Sequence, residues 1–193
     1  MAVAALVDHF ESRLGRLVGA WSAREQSPEG TPKVGYFTGG ALPGIQSYAT
    51  IGLFRTPLTS RVSGRHQHLE LLACGHPVPD EDHGPLPGVL EWVAGGLVAD
   101  GQAVLRGEVI PLPMPLLPGS TMTALYAALP VYFDDDFASV VLENGVETSV
   151  VWLVPIGETE AAFVRERGWG AFEEELVRQD PDLLDLHRTE IAL

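Results

Sequence analysis

The stretch "RHQHLELLACGH" places His66, His68, Cys74 and His76 within eleven residues, the densest set of histidine and cysteine side chains in the chain. On one strand His66 and His68 would share a face, so two imidazoles could meet one ion, with Cys74 and His76 completing a tetrahedral set. The usual structural-zinc spacings, C-x₂₋₄-C and H-x₃₋₅-H, are absent. The same residues also read as the polar face of a half-buried strand, with Leu69 and Leu71 turned inward. Asp134, Asp135 and Asp136 in "FDDDF" could attract a divalent cation, but the alternating ligands and closing glutamate of a calcium loop are missing. A solvated loop is the plainer reading. Glu158 and Glu160 stand where a helix start accepts negative charge, with no nucleophile or paired histidine beside them in sequence. No dinucleotide-binding, P-loop or G-x-S-x-G pattern occurs. Cys74 alone reads as a small core thiol. "PLPMPLLP" reads as a packed proline-rich excursion before it reads as a peptide ligand. Glu70, between Leu69 and Leu71, must face solvent or hold a buried partner. Arg188, near the end of the chain, is the cation this reading assigns to it.

The elements that would position these groups follow from periodicity. Val3, Leu6, Val7, Phe10, Leu14, Leu17 and Val18 keep helical spacing, which predicts a helix over about 3–20. "SAREQSPEGTPK" is a polar connector. "VGYFTGG" and "QSYATIGLF" read as strands joined by a turn at Pro43–Gly44, and "HQHLELLAC" as a third. "GHPVPDEDHGPLPG" has too many prolines for regular structure. Helical spacing returns at Leu90, Val93 and Leu97, with Gly101 as its cap. "AVLRGEVIPL" and "ALYAALPVYF" read as strands. "FASVVLENGVETSVVWLVPI" reads as a hairpin turning at Asn144–Gly145, whose second strand is a central one. A helix with acids in its first turn follows, capped by Gly168, then a second helix stopped at Pro181.

The 193 residues predict one domain over 1–193, its core over about 33–190, large enough to need no disulfide or metal. Twelve Lys and Arg against twenty-six Asp and Glu give a net charge of −14. Such a chain is repelled by nucleic acid and by anionic membranes, so neither is an expected partner. The acidity serves solubility, or attraction of a basic protein partner. One cysteine permits no intrachain disulfide and fits a reducing compartment. The N-terminus lacks a basic stretch ahead of its apolar residues, and no apolar run is long enough to span a membrane. The expected location is the cytoplasm.

Several segments, in order, resemble the suppressor of fused (SUFU-like) family in a short, bacterial single-domain form. "SYATIGLF" is similar to the family's T-x-G-hydrophobic strand, at Thr50 and Gly52. "HLELLA" resembles its E-L strand, at Glu70, and "RGEVIPL" its Gly-containing strand, at Gly107. "VWLVPIGETEAAFVRERGWGAFEEEL" looks like its strand, Pro-Ile turn, acid-led helix and final helix, at Pro155, Ile156, Glu160 and Gly168. "DLLDLHR" resembles its terminal D-x-x-R, at Asp185 and Arg188. The chain departs from the pattern at Phe54, where serine is frequent, and in the proline-rich segment after the E-L strand. The resemblance implies a mixed α/β (α+β) domain, a twisted mixed sheet flanked by helices, with no catalytic residues and no cofactor. It implies a protein-binding module, either an immunity protein neutralising a basic toxin or a regulatory binder that takes a peptide at an edge strand. Two alternatives remain open from the residues: a metal protein using His66, His68, Cys74 and His76, and a homo-oligomeric structural protein.

Overall fold

The computed structural model describes residues 2–21, 32–79, 81–142 and 145–193. The expected connector lies almost wholly outside the described residues, as does Asn144 of the expected hairpin turn. Helix α1 spans Ala2–Leu14 and buries Leu6, Phe10 and Leu14. The helix expected over 3–20 therefore stops early, and Gly15–Trp21 is a strand, β1. Gly15 is the reason. Its φ is +87°, and a Cβ there would fall 2.3 Å from the Thr38 carbonyl oxygen. Only glycine makes that corner without strain. Leu17 and Val18 continue the helical spacing in sequence, yet they lie beyond the corner, so the periodicity misleads.

Strand β2 (Lys33–Gly39) follows its expected run, whereas β3 (Gln46–Ile51) stops short of the expected Phe54 and β6 (Leu69–Gly75) is only the second part of the strand expected from His66. Two short strands, β4 (Leu58–Thr59) and β5 (His66–Gln67), pair with each other, and Thr59 also bridges Gln102. Helix α2 runs Leu86–Asp100 and ends on Gly101 in the left-handed conformation, as its spacing predicts. The "AVLRGEVIPL" expectation is mostly overturned: only Val109–Pro111 is a strand, β7. Ahead of it the Glu108 carboxylate takes the Leu105 N–H at 2.7 Å, which holds a turn. Strand β8 spans Met122–Ala128, β9 Ser139–Val141 and β10 Glu147–Gly157. Helices α3 (Glu158–Arg167) and α4 (Trp169–Gln179) close the chain's regular structure.

The main sheet runs in the order β1-β2-β3-β6-β10-β8-β7, with β9 also paired to β10. Among the described residues of this sheet only β10 with β6 is parallel, so the sheet is mixed. Strand β10 is central, as its apolar run predicts: Val150 through Gly157 are buried. A strand covered on both faces needs apolar residues on both. Val150, Trp152, Val154 and Ile156 join the core beneath α1, α3 and α4, whereas Val151 and Leu153 join the core beneath α2. The architecture is thus a mixed α+β sandwich with the sheet between two helical layers. Among the described residues no helix is long and apolar enough to cross a membrane.

Candidate functional site

Two buried carboxylates organise the motif residues, and each takes a different solution. Glu70 lies on β6 with none of its surface exposed. Its Oε2 accepts the Thr50 hydroxyl at 2.5 Å, and its Oε1 accepts the Gly52 and Phe54 N–H groups at 2.8 and 3.2 Å. Thr50 Oγ1 in turn accepts the Leu71 N–H at 2.8 Å. The amides converge because the chain leaves β3 through Gly52, whose φ is +106°, into a short helical turn over Leu53–Arg55. That backbone region favours glycine, which explains the spacing Thr50-x-Gly52. Among the described residues no cation joins this cluster. Burial pushes the Glu70 carboxyl up to about 7, against the opposing pull of the Thr50 and backbone hydrogen bonds.

The expected Glu70–Arg188 pair is not formed. Arg188 instead grips Glu160, which is also wholly buried. The guanidinium donates to Glu160 Oε1 at 2.7 Å and Oε2 at 2.9 Å, and to the Pro155 carbonyl at 3.0 Å. Glu160 further accepts the Gly157 N–H at 2.8 Å and the Ile191 N–H at 3.1 Å. Every strong acceptor site on the carboxylate is thereby used. Asp185 prepares the arginine by accepting the His187 N–H at 2.8 Å, and its carbonyl takes the Arg188 N–H at 3.1 Å. Pro155 and Ile156 belong to β10 and not to a turn. Pro155 costs the sheet nothing, because pairing with β6 ends at Trp152 and only its carbonyl, claimed by Arg188, remains to be satisfied. Glu158 stays at the exposed helix start and pairs with Arg165 at 3.3 Å.

The four candidate metal ligands are not brought together. His66 lies in β5, whereas His68 falls between β5 and β6, where its Nδ1 sits 2.6 Å from the Phe54 carbonyl. Cys74 is buried beside the Ser47 hydroxyl at 3.4 Å, and burial pushes its thiol up to about 12. His76 pairs with Asp182 at 2.8 Å. Among the described residues no group of three or more His, Cys, Asp or Glu could hold a metal ion. Asp134 pairs instead with Arg13 at 2.9 Å.

Gly107 and Gly168 lie near a surface cluster that the sequence reading missed. A Cβ at Gly107 would meet the Trp169 ring at 2.6 Å, so the backbone packs flat beneath that indole. Gly168 closes α3, its N–H donating to the Val164 carbonyl at 3.0 Å, and it opens α4. The Arg106 guanidinium lies 4.4 Å from the Trp169 ring centroid and pairs with Glu173 through two nitrogens. The Tyr126 hydroxyl donates to the same carboxylate at 2.7 Å. Arg106 and Glu173 are separated by 67 positions, and no local pattern announces their meeting.

The fold has solved counterparts. The crystal structure of a SUFU homolog from Neisseria gonorrhoeae superimposes with a TM-score of 0.75 at 14% identity, covering all of this chain and 97% of that one. A chain of the Sufu–Fu complex gives 0.72 at 13% identity, covering 98% and 91%. Drosophila Suppressor of Fused gives 0.68 at 14% identity, with 98% of this chain spanning 51% of that one. The sequence matches none of the curated proteins compared with it. The family model for suppressor of fused protein (SUFU) matches residues 30–189, which takes in all the motif residues from Thr50 to Arg188. The chain belongs to the suppressor of fused family.

Proposed function

We propose that this chain is a non-enzymatic, cytoplasmic binding module for a basic protein, acting as an immunity protein against a toxin or as a regulator. The observation that carries the reading is the net charge of −14 on a family fold. Complementary charge speeds encounter and rejects acidic competitors. The Sufu–Fu complex supplies a precedent for partner binding by a chain of this fold. The two buried carboxylates support a structural role for the motif, since neither faces an open cleft where substrate would sit.

Among the described residues the strand path of the main sheet ends at β1 and β7, while the three-residue β9 lies off that path and pairs with β10 alone. Strand β1 has seven residues and β7 three, one of them Pro111, which has no N–H to offer. On β1 the Leu17 N–H is already taken by Glu11 at 2.8 Å, and the pairing with β2 shifts between Leu17 and Gly19. Both edges are therefore blunted in part, and β1 is the longer rail for an added strand.

The test is capture of a partner from the native lysate at low and high salt, with mass spectrometry. A single basic protein, retained at low salt and weakened at high salt, is the expected result. No specific partner at either salt overturns the reading.

A further inference from the structure

Aromatic rings from three neighbouring strands converge on one imidazole. Trp21 ends β1, Tyr36 lies on β2, and Tyr48, opposite Tyr36 in the register, lies on β3. Tyr36 and Tyr48 stack with their ring centroids 5.2 Å apart. His83, from the proline-rich segment between β6 and α2, is set among them. Its ring centroid lies 5.0 Å from that of Trp21, 4.9 Å from Tyr36 and 6.1 Å from Tyr48. Polar atoms of β3 complete the box: the Tyr48 hydroxyl oxygen is 3.4 Å from His83 Nδ1 and 3.2 Å from Gln46 Oε1. The same two side chains hold the segment's backbone. Gln46 Nε2 donates to the Asp82 carbonyl at 3.1 Å, and the Tyr48 hydroxyl lies 3.1 Å from the His83 carbonyl. A plain anchor here needs only an apolar side chain, which would fill the box without taking ring nitrogens out of water. The box suits charge better, because aromatic faces attract a cation within about 6 Å of their centroids. Glu81 and Asp82, beside the plug, are exposed acids.

We infer that His83 is a latch, filling an aromatic box whose other occupant is an arginine side chain of a basic protein partner. A guanidinium is planar like the imidazole it displaces, so it can lie against Trp21 in the same slot. Its N–H groups then meet the two acceptors that the box retains, Tyr48 Oη and Gln46 Oε1. Lysine, a compact point charge, matches the flat slot less well. The box stands at the end of β1, the longer rail, so a segment docked along that edge carries a side chain to it. The closed latch lowers the affinity for stray cations, and only a ligand with further contacts overcomes it. This inference rests on the protein-binding reading and names a residue that the partner presents.

The test titrates a short synthetic peptide carrying one arginine into the ¹⁵N-labelled full chain. The Trp21 indole N–H cross-peak, assigned by its loss in Trp21→Leu, is the reporter. The arginine peptide should shift it saturably. Citrulline in place of arginine keeps the shape without the charge and should bind about tenfold more weakly. Lysine should also bind more weakly. His83→Ala opens the box in advance and should tighten the arginine peptide by about tenfold or more, because a competent state populated at about 10% or less lowers apparent affinity by that fraction. Tyr36→Leu keeps the reporter and should erase the preference for arginine over citrulline. If that variant melts early, Trp21→Leu followed by calorimetry gives the same reading. The inference is overturned if no peptide shifts the cross-peak even in His83→Ala, or if arginine and citrulline peptides bind equally. It is also overturned if His83→Ala binds arginine no more tightly than the native chain, which would make His83 a plain anchor. Tetramethylammonium binding His83→Ala as tightly as the peptide overturns it in favour of a small-molecule site, and a homodimer dissolved by Trp21→Leu overturns it in favour of a second copy. If a partner captured from lysate binds Trp21→Leu unchanged, the box is wrong while the binding reading stands; if no partner is captured, the binding reading itself fails.

Discussion

Glu70 and Glu160 are equally buried and opposite in how the fold keeps them. Glu160 meets a guanidinium on both oxygens, and two backbone N–H groups complete its shell. Glu70 meets one hydroxyl and a loop of amides, with no cation among the described residues of its cluster. A paired charge keeps its neighbours fixed, and removal of one partner strands the other in an apolar medium. A carboxyl held by dipoles alone has another recourse, which is to take up a proton. The difference teaches that buried acids in one small protein can serve as a rigid clasp and as a titrating joint. The clasp ties the chain's last residues to the β10–α3 corner; the joint ties the β3 exit to the centre of the sheet.

The clasp should show the largest effect. Arg188→Ala leaves Glu160 buried and unpaired, which costs about 3–5 kcal/mol and lowers the melting temperature by about 10 °C for a chain of this size. The double variant Arg188→Met with Glu160→Leu should recover much of that loss, because no charge is then stranded. An unchanged melt for Arg188→Ala would erase the distinction between the two acids.

The joint shows itself through pH. The folded Glu70 carboxyl sits at about 7 against an ordinary 4.5, so the folded state holds a proton that the unfolded chain releases. That contribution to stability is complete below pH 4.5 and is lost as pH rises through 7. The shift corresponds to roughly 3 kcal/mol. Glu70→Gln keeps the shape and an amide for the Thr50 oxygen, and it cannot titrate. Denaturant unfolding across that window should find the variant gaining roughly 3 kcal/mol on the native chain as pH rises. Parallel pH curves would refute the joint. A smaller effect belongs to Thr50→Val, which orphans the Leu71 N–H and removes one Glu70 contact, at about 2 kcal/mol by chemical denaturation.

Much of the fold was legible in local pattern. The unbroken apolar run of β10 announced a central strand, and the acid-led α3 announced its own start. Gly15 defeated the first helix, because the apolar spacing continues past a corner that only backbone geometry reveals. The site was legible in its residues and not in its pairing. Glu70 stood out as an acid inside an apolar strand, so the available arginine was assigned to it. Glu160 drew no such attention, since an acid in a first helical turn is normally solvated. Nothing local to α3 says that the chain returns after Pro181 to bury that turn. The Arg106–Glu173–Trp169 cluster was hidden for the same reason: its members are ordinary surface residues until distant segments meet.

The sharpest control lies within α3 itself, where Glu158 and Glu160 are two residues apart and indistinguishable by helix-dipole reasoning. Glu158 pairs with Arg165 at 3.3 Å, with side chains 80% and 55% exposed. Water already solvates both charges there, and holding two long side chains together costs entropy that offsets the attraction. Arg165→Gln should therefore move the melting temperature by less than about 2 °C, a small fraction of the Arg188→Ala effect. A loss comparable to that of Arg188→Ala would mean that the end of α3 carries more of the fold than its exposure allows. The contrast between clasp and surface pair would then rest on position along the helix and not on burial.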